Sequence, residues 1–553
     1  MGPEPSFVTR DGSPERGKIL NHITSKFGGK VRRTSAGIAV GVAWSVCSAA
    51  GADAPAPDAA VSKADDFSFK LGGYVRTWAS FNLQNRPESS ANGAIFTGDA
   101  PLGGKGKLSM LRGSLNLNAD ATTGPVQWKA IVRADREVRT NYLRDLESAN
   151  QAHTPGGPGS SILDSYNQTE LREFYADFNL SPKVHFRVGK QEVAWGETDF
   201  FHPTDLINGY DFRWRSFLER DNDELRKPLF LINASVDAPE LGGSLQVIVR
   251  PGLDRGKDIG ISYDLSGGRW AQQPNHGVDF LAPGFLNMDY HHPNGDVDDV
   301  TGGLRWTGSA AKVDYALSYL NTFNPNPIVN SAFAAPYGGK APTGASGDFI
   351  FPKINVFGAS ASTEIPAIDA VVAGEIAYQR KVPYNVGSNF FGGALPGFGG
   401  IQTKNVIVTT FRIDKQFRLM DLLGTSQASF ASIQLFDTWI QGFNPSDDLV
   451  YQAGYGKPAR RHTTILTGFI GLNYQHGTVN PGLAGGVDLT NGDGFLIPSL
   501  EYRVGNHWRF LAEADLFFIR HQKAPGQIEQ STGPLGGAFA KSNQLMLRVG
   551  YQF

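Results

Sequence analysis

The 553-residue sequence has a single cysteine and five methionines, and outside one N-terminal stretch it has no apolar run approaching the ~20 residues that a spanning helix needs. That excludes a disulfide-framed fold and a helical membrane protein. Charge of one sign is not in excess either, with 51 basic against 53 acidic side chains, so the basic surplus that marks nucleic-acid binding is missing. Neither G-x-S-x-G nor H-E-x-x-H occurs, and His476 and His507 sit at turns. Two compact hydrolase signatures are thereby removed, and the expectation is a protein that is not an enzyme and needs no cofactor. A chain this long ordinarily divides into several domains, yet after the N-terminal region the composition does not change and no Pro/Ser-rich linker appears. A single domain of this length is compatible with a barrel.

The one apolar run has a specific reading. Lys30, Arg32 and Arg33 precede the small-residue stretch 36–50, and Ala50-Gly51-Ala52 supplies an A-x-A site before an Ala/Pro/Asp-rich segment. We expect an N-terminal extension and signal peptide over 1–52, cut after Ala52, with 1–30 reading as a misplaced start. A short periplasmic leader would then occupy 53–66 and the barrel 67–553. Cys47 lies inside the run behind Val46, a poor acylation site, so the mature chain would carry no cysteine. Removing 1–52 takes away 7 basic and 3 acidic side chains and leaves 44 against 50, a mildly acidic protein.

Glycine is abundant, at 66 residues, aromatics make up 11%, and what recurs between the glycines is an alternation of period two. The last eleven residues, NQLMLRVGYQF, put Leu545, Leu547, Val549, Tyr551 and Phe553 on one side of a strand and Gln544, Arg548, Gly550 and Gln552 on the other. Such an ending resembles the closing strand of a Gram-negative outer-membrane barrel, with Tyr551 and Phe553 as the insertion signal read by the barrel-assembly machinery. The same alternation predicts strands at 67–83, 108–119, 126–138, 169–180, 184–193, 230–238, 244–250, 300–307 and 313–322. It continues at 354–363, 369–381, 403–417, 427–441, 462–475, 479–489, 495–504, 508–519 and 543–553. The fold class is therefore all-β, a transmembrane antiparallel barrel of about 18 strands, within a range of about 16 to 18. Long connections alternate with short turns, which places the long ones outside, apart from a compact connection near Asn491. Charges avoid most outward positions, where Lys or Arg at the bilayer midplane costs roughly 2–4 kcal/mol. They gather inward, and Arg76, Lys129, Arg133, Arg187, Glu375, Arg412, Glu513 and Arg548 are expected to line the lumen, with Arg503, Arg509 and Asp515 among others beside them.

From Arg187 the chain reads RVGKQEVAWGETDFFHPTDLING, and later GLNYQHGTVNPGL and GFLIPSLEYRVGNHW. These stretches resemble a large Gram-negative family of outer-membrane barrels catalogued as a domain of unknown function, DUF1302. Gly189-Lys190-Gln191, Trp195-Gly196-Glu197, Pro203 and Asp205 are the most recognisable part, although 210–226 is more aromatic and more charged than the resemblance leads one to expect. It implies a barrel in the outer membrane, porin-like, and a channel for hydrophobic compounds linked to envelope lipid or efflux systems.

The connection 192–228 is the leading candidate site. It carries Trp195, Phe200, Phe201, Tyr210, Phe212, Arg213, Trp214 and Arg215, and this many rings would be a liability on an exposed loop. Folded back into the lumen, it would act as a plug or constriction; the bland alternative is a packed extracellular cap. Phe390, Phe391 and Phe398 on the loop 389–400 would extend an apolar entrance. Two clusters look metal-like, one of Asp289, His291, His292, Asp296, Asp298 and Asp299 and one of Asp488, Asn491 and Asp493. Each contains a strong turn signal, Pro293-Asn294-Gly295 and Asn491-Gly492, and no metal is assigned.

These features lead to the expectation of an outer-membrane channel for uptake of hydrophobic or aromatic small molecules by passive diffusion, embedded in outer-membrane lipid and lipopolysaccharide. The alternatives are a lipid-trafficking or export component working with an inner-membrane transporter and, less favoured, a barrel enzyme acting on envelope lipids.

Overall fold

The computed structural model describes residues 67–85, 104–153, 156, 158–196, 198, 201, 203–264, 268–270, 287–331, 348–387, 397–418, 420–451, 457–519, 535, 539 and 542–553. The signal-peptide and leader segments and the residues Phe200, Phe390 and Phe391 lie outside these.

Period-two sequence becomes a closed antiparallel barrel of 18 strands. The first nine are β1 (Phe67–Asn82), β2 (Leu108–Thr123), β3 (Val126–Glu137), β4 (Gln168–Ser181), β5 (Val184–Gln191), β6 (Leu229–Ala238), β7 (Gly243–Arg250), β8 (Thr301–Ala310) and β9 (Val313–Phe323). The rest are β10 (Lys353–Ile365), β11 (Ala370–Val386), β12 (Ile401–Phe417), β13 (Ser429–Ile440), β14 (His462–Gly471), β15 (Val479–Asp488), β16 (Asp493–Val504), β17 (Trp508–Ile519) and β18 (Gln544–Gln552). Each pairs with its neighbour in sequence, and β18 pairs with β1, Val75 opposite Tyr551 and Phe81 opposite Leu545. Closure leaves no unpaired edge in the wall. The terminal residue completes it: Phe553 and Gly73 exchange backbone hydrogen bonds of 3.0 Å in both directions.

Every strand predicted from alternation is present, with small shifts at the ends. β11 runs to Val386, past the expected 381, because a bulge between Gln379 and Val382 lets the ladder to β12 resume. Lys381 takes a left-handed φ of 58° there, and its N–H donates to Asn405 Oδ1 at 3.1 Å. β14 stops at Gly471, short of 475, because residues 472–478 form the turn to β15. The long connection after β3 holds a helix, α1 (Asn141–His153). Thr140 caps it, its Oγ1 accepting from Leu143 N at 3.1 Å.

The wall has two faces. Outward residues such as Leu115, Phe174, Leu317, Phe411, Ile433 and Leu547 are exposed around the circumference, an apolar belt far larger than soluble monomers tolerate. Towards the short-turn end an aromatic girdle begins, where Trp508 packs edge-on against Tyr551 at a centroid distance of 5.0 Å. No helix among the described residues is long and apolar enough to cross a membrane. The strands do the crossing, and the other half of each strand, pointing inward, is free to be polar.

Candidate functional site

The segment between β5 and β6 begins where β4 departs from regularity. A bulge sets Ile131 opposite Glu173 and Val132 opposite Leu171, so Arg172 is the extra residue. Its guanidinium turns inward and is buried, donating to Glu192 Oε1 at 2.6 Å and to the carbonyls of Asp223 and Arg226. Glu173 accepts from the N–H of Glu192 at 2.8 Å. One bulge thus clamps both ends of the segment.

From there a chain of ion pairs runs across the interior. Arg226 pairs with Asp205 at 2.8 Å, Arg133 with Glu224 at 3.3 Å and with Asp135 at 3.0 Å, and Arg76 with Glu224 and Asp221 at 2.8 and 2.9 Å. Arg548 holds Asp221 and Glu219 at 3.2 and 2.8 Å. Arg215, fully buried, meets Glu513 directly, with Glu219 at 3.4 Å and Asp515 at 3.5 Å. Wall residues of β1, β3, β17 and β18 therefore grip the segment. The opposite side is joined by hydrogen bonds rather than ion pairs: Trp195 Nε1 donates to Gln246 Oε1 of β7 at 2.9 Å, and Thr204 N donates to the Glu375 carboxylate of β11 at 3.0 Å. Residues 192–228 thus touch inward-facing side chains on all sides of the barrel.

The aromatic residues divide by exposure. Trp195, Tyr210 and Trp214 are 1%, 6% and 3% exposed, and Arg215 is enclosed completely. Trp214 sits edge-on to Trp78 of β1 at 5.6 Å, with the Arg112 guanidinium over its ring at 4.6 Å. In this arrangement these rings and Arg215 hold the segment to the wall and show no face to a passing solute. Phe201, Phe212, Phe217 and Arg213 keep accessible surface. Phe201 meets Phe436 of β13 at 5.1 Å, and Phe217 meets Phe495 of β16 at 5.3 Å. Phe398, in the loop before β12, is buried at 5% exposure.

A second inward layer was not foreseen from sequence. Residues of the connection after β7, within 251–264 and 268–270, pack on the first segment through backbone bonds, Phe212 N to Ser262 O at 2.9 Å and Ser262 N to Tyr210 O at 2.8 Å. The approach is so close that a Cβ at Gly209 would stand 1.8 Å from Gly260 O, which demands glycine. Asp264 accepts from Tyr166 Oη at 2.9 Å and from Trp270 N at 3.0 Å, and burial pushes its carboxyl up to about 7. Burial would also raise Asp211, but the Arg213 guanidinium on its oxygens, at 2.7 and 2.8 Å, outweighs that and holds it well below the usual range. Arg269 pairs with Glu137, and Trp270 Nε1 donates to Trp214 O at 2.9 Å. Helix α1 contributes Tyr142, Leu143 and Leu146 to the cluster around Trp214 and Trp78.

Of the eight expected lumen residues, Arg76, Arg133, Glu375, Glu513 and Arg548 meet the segment. The other three pair within the wall: Lys129 with Asp120, Arg187 with Asp177 and Arg412 with Asp414, each at 2.8 Å. The two metal-like clusters are turns. His291 Nδ1 lies 3.1 Å from Asp296 Oδ1, which also accepts from Asp298 N, so the ligand atoms of His291, Asp296 and Asp298, all within 4.8 Å of one another, include the turn's own hydrogen-bonding atoms. Asp488 Oδ1 accepts from Thr490 N and Asn491 N at 2.9 Å, an Asx-type turn.

The model of a family described as "Protein of unknown function (DUF1302)" matches residues 33–240 and 286–553. Among solved structures, the chain is similar to OccAB3 of Acinetobacter baumannii, at 10% identity and TM-score 0.41, over 88% of this chain and 99% of that one. It is similar also to the outer membrane channel DcaP of Acinetobacter baumannii, at 10% identity and TM-score 0.35, over 88% and 97%. A third is OmpT, an outer membrane protein of Vibrio cholerae, at 9% identity and TM-score 0.31, over 88% and 100%. No curated protein sequence matches the chain.

Proposed function

Starting from the fact that the chain belongs to the DUF1302 family of proteins of unknown function, we propose that it is an outer-membrane channel through which hydrophobic or aromatic small molecules enter by passive diffusion. It would reach that membrane after cleavage near Ala52, with Tyr551 and Phe553 read by the assembly machinery. The observation that carries the reading is the half-buried aromatic edge of the inward segment. Phe201, Phe212 and Phe217 keep accessible surface inside the barrel, beside Arg213, and Phe201 and Phe217 continue into the wall rings Phe436 and Phe495. An apolar ring or chain sliding along such rings buries large area. The segment 192–228 acts here as a constriction that selects by this edge.

A deletion strain tests the proposal through growth on, and radiolabel accumulation from, a panel of hydrophobic and hydrophilic carbon sources. Loss restricted to hydrophobic compounds supports it. Equal loss of sugars would indicate a general porin, and unchanged uptake with altered envelope lipids would indicate lipid trafficking with an inner-membrane transporter.

A further inference from the structure

Strand register places three guanidinium groups in one lateral row on the inner wall near the short-turn mouth. Arg503 of β16 is directly opposite Arg509 of β17; Arg509 is opposite Gly550 of β18, and Gly550 is opposite Arg76 of β1. Neighbouring strands lie about 4.8 Å apart, so the row spans roughly 15 Å. Like charges placed directly opposite one another destabilise a sheet. The nearby carboxylates form their ion pairs elsewhere and act on Arg509 only from a distance: Glu501 pairs with Arg503 at 2.8 Å, and Asp221 and Glu224 with Arg76. Among the described residues no carboxylate lies within ion-pair distance of Arg509, which is half-buried and follows immediately on the turn 505–507. Gly550 leaves open the place between Arg509 and Arg76 that a side chain would fill; a Cβ there would stand 3.4 Å from Arg76 Cγ.

We propose that Arg509, flanked by Arg503 and Arg76, is a carboxylate-binding step at the short-turn mouth, so that the solutes the channel admits are aromatic or aliphatic acids. The proposal rests on the channel reading and sharpens it. A planar guanidinium fork matches a carboxylate in two parallel hydrogen bonds. An arriving carboxylate would also supply the ion-pair partner that Arg509 does not find among the described residues. An acid with an apolar body meets the rings of the inward segment and the row of arginines in the same passage.

The test uses the full-length barrel in detergent micelles and measures benzoate and benzamide binding by equilibrium dialysis, with the heat-modifiable band as the check on folding. Arg509→Gln should weaken benzoate about tenfold, the lower range for a charge-assisted hydrogen bond, and leave benzamide unchanged, while Arg509→Lys, which keeps the charge but not the fork, should fall between the wild type and Arg509→Gln. Equal benzoate binding by the wild type and Arg509→Gln, equal losses for both ligands, or no benzoate binding at all would overturn it. Liposome swelling with the same two solutes reads the channel separately. A barrel that binds benzoate through Arg509 yet passes neither solute would sink the channel reading and leave the arginine site standing.

Discussion

Replacing Arg215 by Met should release the segment 192–228 from the wall without opening the barrel. Arg215 has no exposed surface and stands among Glu513, Asp515 and Glu219, themselves buried. Its removal takes the paired cation from the enclosed Glu513 and Asp515 and leaves Glu219 to Arg548 alone, and breaking a buried pair in this way costs about 3–5 kcal/mol. The strand ladders that close the barrel do not depend on this residue, so the cost falls on docking of the segment, where it lowers the docked-to-released ratio by roughly 100- to 5000-fold. Two measurements read this. Trypsin should cut at Arg220 or Arg226 in the variant and spare them in the wild type, and single-channel conductance in planar bilayers should rise or fluctuate. The triple variant Arg215→Met, Glu513→Gln, Asp515→Asn should recover part of the protection, because it removes the charges as well as the partner. A variant as resistant as wild type, with unchanged conductance, would refute the idea that this ion-pair chain anchors the segment.

Gly209→Ala puts a Cβ onto the carbonyl of Gly260, and overpacking against backbone costs about 1–3 kcal/mol; the two inward layers should separate, giving new tryptic cuts near Lys257 and Arg269 while the barrel stays heat-modifiable. Asp264 binds a proton more tightly when docked, its carboxyl raised from 3.8 to about 7, so docking of the second layer should weaken as pH rises through that window. Trp270 fluorescence should report this weakening, and Asp264→Asn should flatten the response between pH 4 and 7, whereas an unchanged slope in the variant would assign the effect to another group. Deleting Phe553 removes a girdle ring and the backbone pair with Gly73, and should lower the amount of heat-modifiable protein in outer-membrane fractions; equal amounts would deny it a role in insertion.

The wall was legible because a strand facing lipid on one side and water on the other has to alternate, and Leu545 to Phe553 or Leu111 to Asn118 cannot hide that period. The interior was legible only as a need. A run holding Trp214, Phe217 and several charges must be buried somewhere, but sequence does not name its partners. Arg172 went unnoticed because the bulge sets Leu171, Arg172 and Glu173 out of phase; two adjacent charges in an otherwise alternating strand were the available signal. Lys129, Arg187 and Arg412 share the inward parity of Arg76 and Arg133 but find carboxylates on their own sheet, and parity alone does not distinguish the two outcomes. Asp264, Arg269 and Trp270 lie in a connection without period, where nothing local marks them as inward.

Charge and apolar area together hold the segment. Inward wall residues such as Trp78, Leu231, Ile248, Val356, Phe436 and Phe495 pack with Trp214, Trp195, Phe201 and Phe217 of the segment. The matched charges fix position closely, since Glu219 must reach Arg548 while Arg215 reaches Glu513 on the neighbouring strand β17. Ion pairs enclosed to this degree are screened far less by salt than exposed ones. A constriction held in this way should keep its place in dilute and in salty surroundings alike. Phe201 and Phe217 pack on the wall rings Phe436 and Phe495 while keeping accessible surface, so with the ion pairs intact substitutions there should alter which solutes pass more than they loosen the loop.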